Sequence, residues 1–258
     1  MHPARMTLPA LVALLTLAPR AIAQPGHEYT LDDGSGNFTI GPSQFDANMT
    51  WLNAFTAVPE GQIMTHVRVS FGDIADNDGN VGPDQITVAI LSDPNNDADP
   101  ADAVLLTTAS GQWVDLASNE FIEIPVPPVM VSGGFFVAVE MDVIQRANPA
   151  RMDPQDPTLG MNSWLFYNPE SRLHDLGGSK FILRMGESPF VGAWMVRATA
   201  RACLADTAPE PGVLDVFDLF AYLELFNAGS AGADITSDGV LDIFDVFGFL
   251  DAFNAGCP

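Results

Sequence analysis

Two hydrophobic periods divide the chain. In residues 24 to about 200 the period is two: Ile63, Thr65, Val67, Val69 and Phe71 alternate with Met64, His66, Arg68 and Ser70. That alternation places the first set on the buried face of a strand. Further strands are expected at Met49–Phe55, Gln85–Leu91, Ala103–Thr108, Phe121–Val126, Gly134–Met141, Asn162–Tyr167 and Ala193–Thr199. Turn clusters such as Asp76-Asn-Asp-Gly-Asn-Val-Gly-Pro83 and Asp93-Pro-Asn-Asn-Asp-Ala-Asp-Pro100 separate them. No helical period interrupts this part. About eight to ten short strands with polar turns predict one antiparallel β-sandwich, and roughly 175 residues are enough to bury its core.

The last fifty-odd residues change period. Gly212-Val-Leu-Asp-Val-Phe-Asp-Leu-Phe-Ala-Tyr-Leu-Glu-Leu-Phe-Asn-Ala-Gly229 returns 27 residues later as Gly239-Val-Leu-Asp-Ile-Phe-Asp-Val-Phe-Gly-Phe-Leu-Asp-Ala-Phe-Asn-Ala-Gly256, with twelve of eighteen positions identical. A repeat of this length is one supersecondary unit used twice. In each copy Val216, Phe220 and Leu223, or Ile243, Phe247 and Leu250, fall at i, i+4, i+7 and predict an amphipathic helix. The stripe is expected to be the packed face, and Val216-Phe217 and Ile243-Phe244 are expected to be core with it.

The second copy carries candidate chemistry. Asp234, Thr236, Asp238, Asp242 and Asp245 supply oxygens at positions 1, 3, 5, 9 and 12 of a calcium loop, with Gly239 at the sharp turn and the Val240 carbonyl at position 7. Ca²⁺ is a hard cation that takes six to eight oxygens, and this set is made of oxygens only. The plainer alternative is an acidic turn leading into a helix N-terminus, where Asp is favoured without any ion. The glycine-rich Asn227-Ala-Gly-Ser-Ala-Gly-Ala233 ahead of the loop cannot hold the leading helix of an EF-hand. The first copy departs from the pattern, because direct counting puts Thr207, Pro209 and Pro211 at positions 1, 3 and 5. Only a one-residue insertion lets Asp206 and Glu210 join Asp215 and Asp218 in a degenerate second site.

Loop-then-helix, twice, with Asp at position 12, resembles a dockerin module. Cys203-Leu-Ala-Asp206 and the terminal Asn-Ala-Gly-Cys257-Pro258 are similar to the variety with a Gly-Cys end found on secreted bacterial proteins. The resemblance covers Cys203 to Pro258. It implies a small all-α calcium-binding domain that attaches its protein to a cohesin-like or other surface partner, in association with polysaccharide breakdown. The partner-reading positions implied by the family are Val216-Phe217 and Ile243-Phe244. Tyr29-Thr-Leu-Asp-Asp-Gly34, Trp51-Leu-Asn-Ala-Phe55 and Trp194-Met-Val-Arg197 resemble a jelly-roll-type domain of secreted bacterial proteins.

Residues 1–23 read as a secretory signal peptide, with Arg5, the apolar Leu8 to Leu17 and a small-x-small site at Ala21-Ile-Ala23. The expected setting is extracellular or the surface of a bacterium, with no membrane span. The formal net charge is −23. Without the leader, 8 basic against 33 acidic residues leave −25, which argues against nucleic acid and anionic membranes. The two cysteines, Cys203 and Cys257, bracket the repeat. In an exported protein that placement favours one bridge, free or intermolecular thiols being the alternative.

Enzyme signatures are sparse. His27, His66 and His174 have no paired metal spacing, and no Gly-x-Ser-x-Gly elbow occurs. The expectation is no catalysis, with a carbohydrate-binding module second and a glycoside hydrolase third. Trp51, Trp113, Trp164, Tyr167 and Trp194 are the candidates for stacking on sugar, core being the commoner fate of such rings. Asp73, Asp76 and Asp78 could hold a structural ion, although Asx-rich turns form without one.

Overall fold

The structure is a computed structural model. It describes residues 27–42, 44–72, 85–113, 119–145, 147–154, 159–187, 189–208, 213–236 and 238–256. The expected leader, the cluster at Asp73, Asp76 and Asp78, Glu210 and Cys257 lie outside the described residues.

The chain is mainly β, with antiparallel sheets followed by two C-terminal helices. In order the strands are β1 (His27–Tyr29), β2 (Phe38–Ile40), β3 (Ala47–Thr56), β4 (Ile63–Val69), β5 (Gln85–Asp93), β6 (Val104–Gln112), β7 (Ile122–Met130), β8 (Gly134–Val143), β9 (Ala150–Asp153), β10 (Ser163–Asn168), β11 (Phe181–Arg184), β12 (Ala193–Trp194) and β13 (Val196–Arg201). The helices are α1 (Val216–Asn227) and α2 (Ile243–Ala255). One sheet runs β1-β13-β4-β7, a second β11-β10-β3-β8-β5-β6, and a small third β12-β9-β2.

The first two sheets share one apolar core. Met64, Val67, Val69, Ile124 and Val196 from the four-stranded sheet join Trp51, Ile90, Phe135, Val137 and Leu165 from the six-stranded one. A second cluster of Leu52, Leu91, Phe136, Trp164 and Phe166 lies on the opposite face of the six-stranded sheet, under Leu173 and Leu176. Burial on both faces explains why β8 reads Gly-Phe-Phe-Val-Ala-Val and not as an alternation. Asn53 ties the layers, donating to the carbonyls of Trp194 (2.8 Å) and Val196 (2.9 Å) while accepting from Ser163 Oγ (2.6 Å).

The strict alternation expected for Ile63–Phe71 is corrected at its ends. Against β13, where Ala200 faces Met64 and Thr199 faces His66, Thr65 is an extra residue. Met64 and Ser70, expected on the outer face, are fully buried and Thr65 is not, while Val67, Arg68 and Val69 keep the expected phase.

The C-terminal helices form a third cluster of their own. Tyr222 and Phe249, equivalent residues of the two copies, stack with ring centroids 4.1 Å apart and planes at 8°. Leu219, Leu223, Phe226, Val246, Leu250 and Phe253 pack around them. The tail is applied to the four-stranded sheet, since its short 3-10 turn Ala231–Ala233 packs against the edge strand β7. Cys203 is disulfide-bonded, and Cys257 is the other cysteine of the chain.

Candidate metal centre

The loop from Asp234 to Asp245 is organised around two buried carboxylates, exposed by 4% and 0%. Asp234 Oδ2 accepts from Gly239 N (2.9 Å) and Oδ1 from Asp238 N (3.3 Å). Gly239 turns the chain at φ +79, a backbone state that suits glycine. Asp245 Oδ1 accepts from both the amide and the hydroxyl of Thr236 (3.0 Å each), and its Oδ2 from Asp242 N (2.8 Å). Asp242 caps α2 through Phe244 N, so Asp242 and Asp245 also form a capping box. Asp238 binds the Val240 amide and is exposed.

Burial alone would raise the Asp245 carboxyl. The amides of Asp242, Thr236 and Ile235 and the Thr236 hydroxyl outweigh it and hold the group below the ordinary 3.8. Burial, with the charges of Asp245 and Asp234, pushes the Tyr222 phenol up, and its hydroxyl donates to the Ala233 carbonyl (3.3 Å).

The donor set suits a hard cation. Every side-chain candidate is an oxygen, and a carboxylate oxygen that accepts one amide keeps a lone pair for an ion. The oxygens are not gathered, however. Among the described residues, the three acids whose ligand atoms lie within 4.8 Å of one another are Asp93, Asp97 and Asp102. There Asp93 accepts from the amides of Asn96 and Ala98 (2.9 Å each), the pattern of a closed turn.

The first copy repeats this architecture. Asp218 is fully buried; its Oδ1 accepts from Thr207 N and Ala208 N (2.7 Å each), and its Oδ2 from Asp215 N (2.8 Å). Asp215 caps α1. Ala208 thus stands to Asp218 as Thr236 stands to Asp245, an offset of 28 residues, while the helices are offset by 27. Asp206, 7% exposed, falls in the place of Asp234. The extra residue in the first loop lies between these points.

The structure corrects one expectation about the helices. Val216, Phe217 and Phe220, with Ile243, Phe244 and Phe247, are not core: each is 51–63% exposed. Both helices are apolar nearly all round, so periodicity alone leaves the inward face open. The loops choose it. Asp218 and Asp245 must point inward to collect backbone amides, and residues four further on, Tyr222 and Phe249, lie on the same side. The stripe through Val216 and Phe220 is left facing out.

In the β part, Trp51, Trp113, Trp164 and Trp194 are all buried. Tyr167 alone of the proposed stacking residues is half-buried, beside Phe45 (5.8 Å) and Phe181 (5.4 Å), and burial pushes its hydroxyl up to about 12. Sequence reasoning missed Arg201, whose guanidinium lies against the first loop. Its Nη1 donates to the Asp206 carbonyl (3.3 Å).

No family model, no curated protein and no solved structure matches this chain. No helix among the described residues is long and apolar enough to cross a membrane.

Proposed function

We propose that this is a secreted, non-catalytic protein in which a jelly-roll-like β-sandwich, residues 24–200, is carried by a calcium-binding, dockerin-like module, residues 203–258. The module attaches the sandwich to a partner protein at the cell surface or in an extracellular assembly. The observation that carries this reading is charge. Residues 202–258 hold ten acidic residues and no Lys, Arg or His, yet Asp234 and Asp245 of the second loop are buried. Backbone amides satisfy their hydrogen bonds without supplying a full positive charge, and a divalent cation does supply it. Asp234, Thr236, Asp238, Asp242, Asp245 and the Val240 carbonyl are the residues to hold it, and its role is to order the loop ahead of α2. The shared core of the two large sheets supports the sandwich reading.

The outward apolar stripe, presented twice at repeat-related positions, supports attachment to a partner. Calcium titration of the full chain by calorimetry tests the metal. Tight binding is expected in the parent and not in an Asp234→Ala, Asp238→Ala variant; a parent that binds no calcium sinks the reading.

A second reading, carbohydrate binding by the β part, is favoured by Phe45, Tyr167 and Phe181 gathered at the outer edge of the six-stranded sheet. Glycan-array binding that disappears in Tyr167→Ala supports it, and an array with no signal removes it.

A further inference from the structure

The two loops solve the same electrostatic problem with different materials. Each buries the carboxylate that ends its loop, Asp218 or Asp245, and the one that opens it, Asp206 or Asp234. The stretch that holds the second loop, residues 202–258, contains no basic residue, and among the described residues no salt bridge reaches that loop. The first loop lies against Arg201, the last residue of β13. On that strand Arg197, Thr199 and Arg201 alternate to the side away from the shared core, while Val196, Ala198 and Ala200 face it. The Arg201 side chain therefore leaves the sheet in the direction of the tail. Its Nη1 reaches the Asp206 carbonyl at 3.3 Å, and its buried Nε has no hydrogen-bond partner among the described residues. Burial pushes the guanidinium down to about 10, against the opposing charges of Asp206 and Asp218. At any ordinary pH it remains a cation.

We propose that Arg201 is the resident cation of the first loop. Its guanidinium takes, beside Asp206 and Asp218, the role that calcium takes in the second loop. The module then binds one ion, and the first repeat is fastened to β13 by charge. This rests on the calcium reading of the second loop. A guanidinium is permanently charged and planar, so it neutralises buried carboxylates without needing the closed oxygen shell that a metal requires. The prolines at 209 and 211, which spoil the first loop as a metal loop, do not matter to an arginine brought from outside it.

The test uses the full chain and calcium alone as the probe, in the parent, Arg201→Gln and Arg201→Lys. Calorimetry should give one tight site in the parent and in Arg201→Lys. In Arg201→Gln a second, weaker site should appear, as calcium enters beside Asp206 and Asp218. Thermal unfolding in chelator should show the tail weakened by Arg201→Gln, and restored when Asp206→Asn is added, since the buried charge then needs no partner. A merely structural arginine would not be rescued in that way. Two equal tight sites in the parent overturn the proposal, as does an Arg201→Gln variant with parental stoichiometry and parental stability in chelator. If the parent binds no calcium, the functional reading fails instead. The proposal is then decided by the chelator series, where absence of rescue by Asp206→Asn overturns it. Should Arg201→Gln not fold, Asp206→Asn with Asp218→Asn in the parent background serves. In that background Arg201→Gln should fold, since no buried charge is left to compensate, and failure to fold there counts against the proposal.

Discussion

Asp32 and Asp245 are both buried carboxylates, and the two regions of the molecule treat them differently. In the β part, Asp32 has a fully buried side chain and meets a guanidinium directly: Arg197 Nη2 lies 2.5 Å from Oδ1, and Nε reaches both oxygens. Arg197 also reaches Glu28 and lies over the Phe121 ring (4.2 Å). In the second repeat of the tail, Asp245 meets backbone amides and one hydroxyl. A region that carries its own counter-charges is complete as folded. The proposed ion would supply what the second repeat lacks, and the contrast can be broken at several points.

The largest effect expected is loss of the whole tail fold on combined reduction and chelation. Some fifty residues bury too little surface to be safely stable alone, and small domains rely on bridges or metals. The disulfide at Cys203 closes a long loop and contributes on the order of 2–4 kcal/mol. Circular dichroism should lose its helical part and keep its strand part. A sheet signal that melts together with the tail would show that the contact of Ala231–Ala233 with β7 couples the two.

Next in size, Asp32→Ala should cost roughly 3 kcal/mol, because Arg197 is left without its closest partner. Urea midpoints with and without calcium should shift equally, and a calcium-dependent cost would erase the distinction. Asp245→Ala removes a capping box and three hydrogen bonds, an expected loss of about 2 kcal/mol in chelator. In excess calcium the loss should be greater, and an identical loss in both conditions counts against an ion at that loop.

Acid separates the regions more gently. His66, on β4, is held below its ordinary 6.5 by burial, assisted by Arg201 and opposed by Glu123. A base depressed by folding leaves the unfolded chain holding more protons as the pH falls. Its contribution is full above pH 6.5 and shrinks below it. Asp245 is an acid depressed below 3.8, so its contribution is full above 3.8 and lost only as the pH falls further. Stability followed by urea titration should therefore begin to slope between pH 6.5 and 3.8, and His66→Gln should flatten that interval. The smallest effect belongs to Phe217→Ser with Phe244→Ser. Both rings are 63% exposed, and unfolding should move by no more than about 0.5 kcal/mol. A large loss would mean the rings are packed and not offered to a partner.

Much of the architecture was legible in the chain because it is local. The β3, β5 and β8 strands are long apolar runs between turn clusters, and both helices follow from the 27-residue repeat. What escaped depends on distant partners. β1, β2, β9 and β11 are three or four residues long and exist only through pairing with strands elsewhere in the chain. The bulge at Thr65 belongs to the pairing of β4 with β13. Loop spacing named the acids of the second loop, yet no periodicity could reveal which face of an almost wholly apolar helix turns inward. Arg201 escaped for a third reason: its relation to Asp206 and Asp218 crosses from the strand region into the tail.

One consequence of β7 concerns association between molecules. A sheet edge is a template on which another chain can add a strand, the first step toward aggregates. Here the edge carries Pro125, Pro127 and Pro128, which have no amide hydrogen to offer, and the Ala231–Ala233 turn lies over it. A chain shortened to residues 24–201 would uncover that edge and still find it poorly suited to fibre growth. The β part could then remain dispersed after proteolysis had removed its tail.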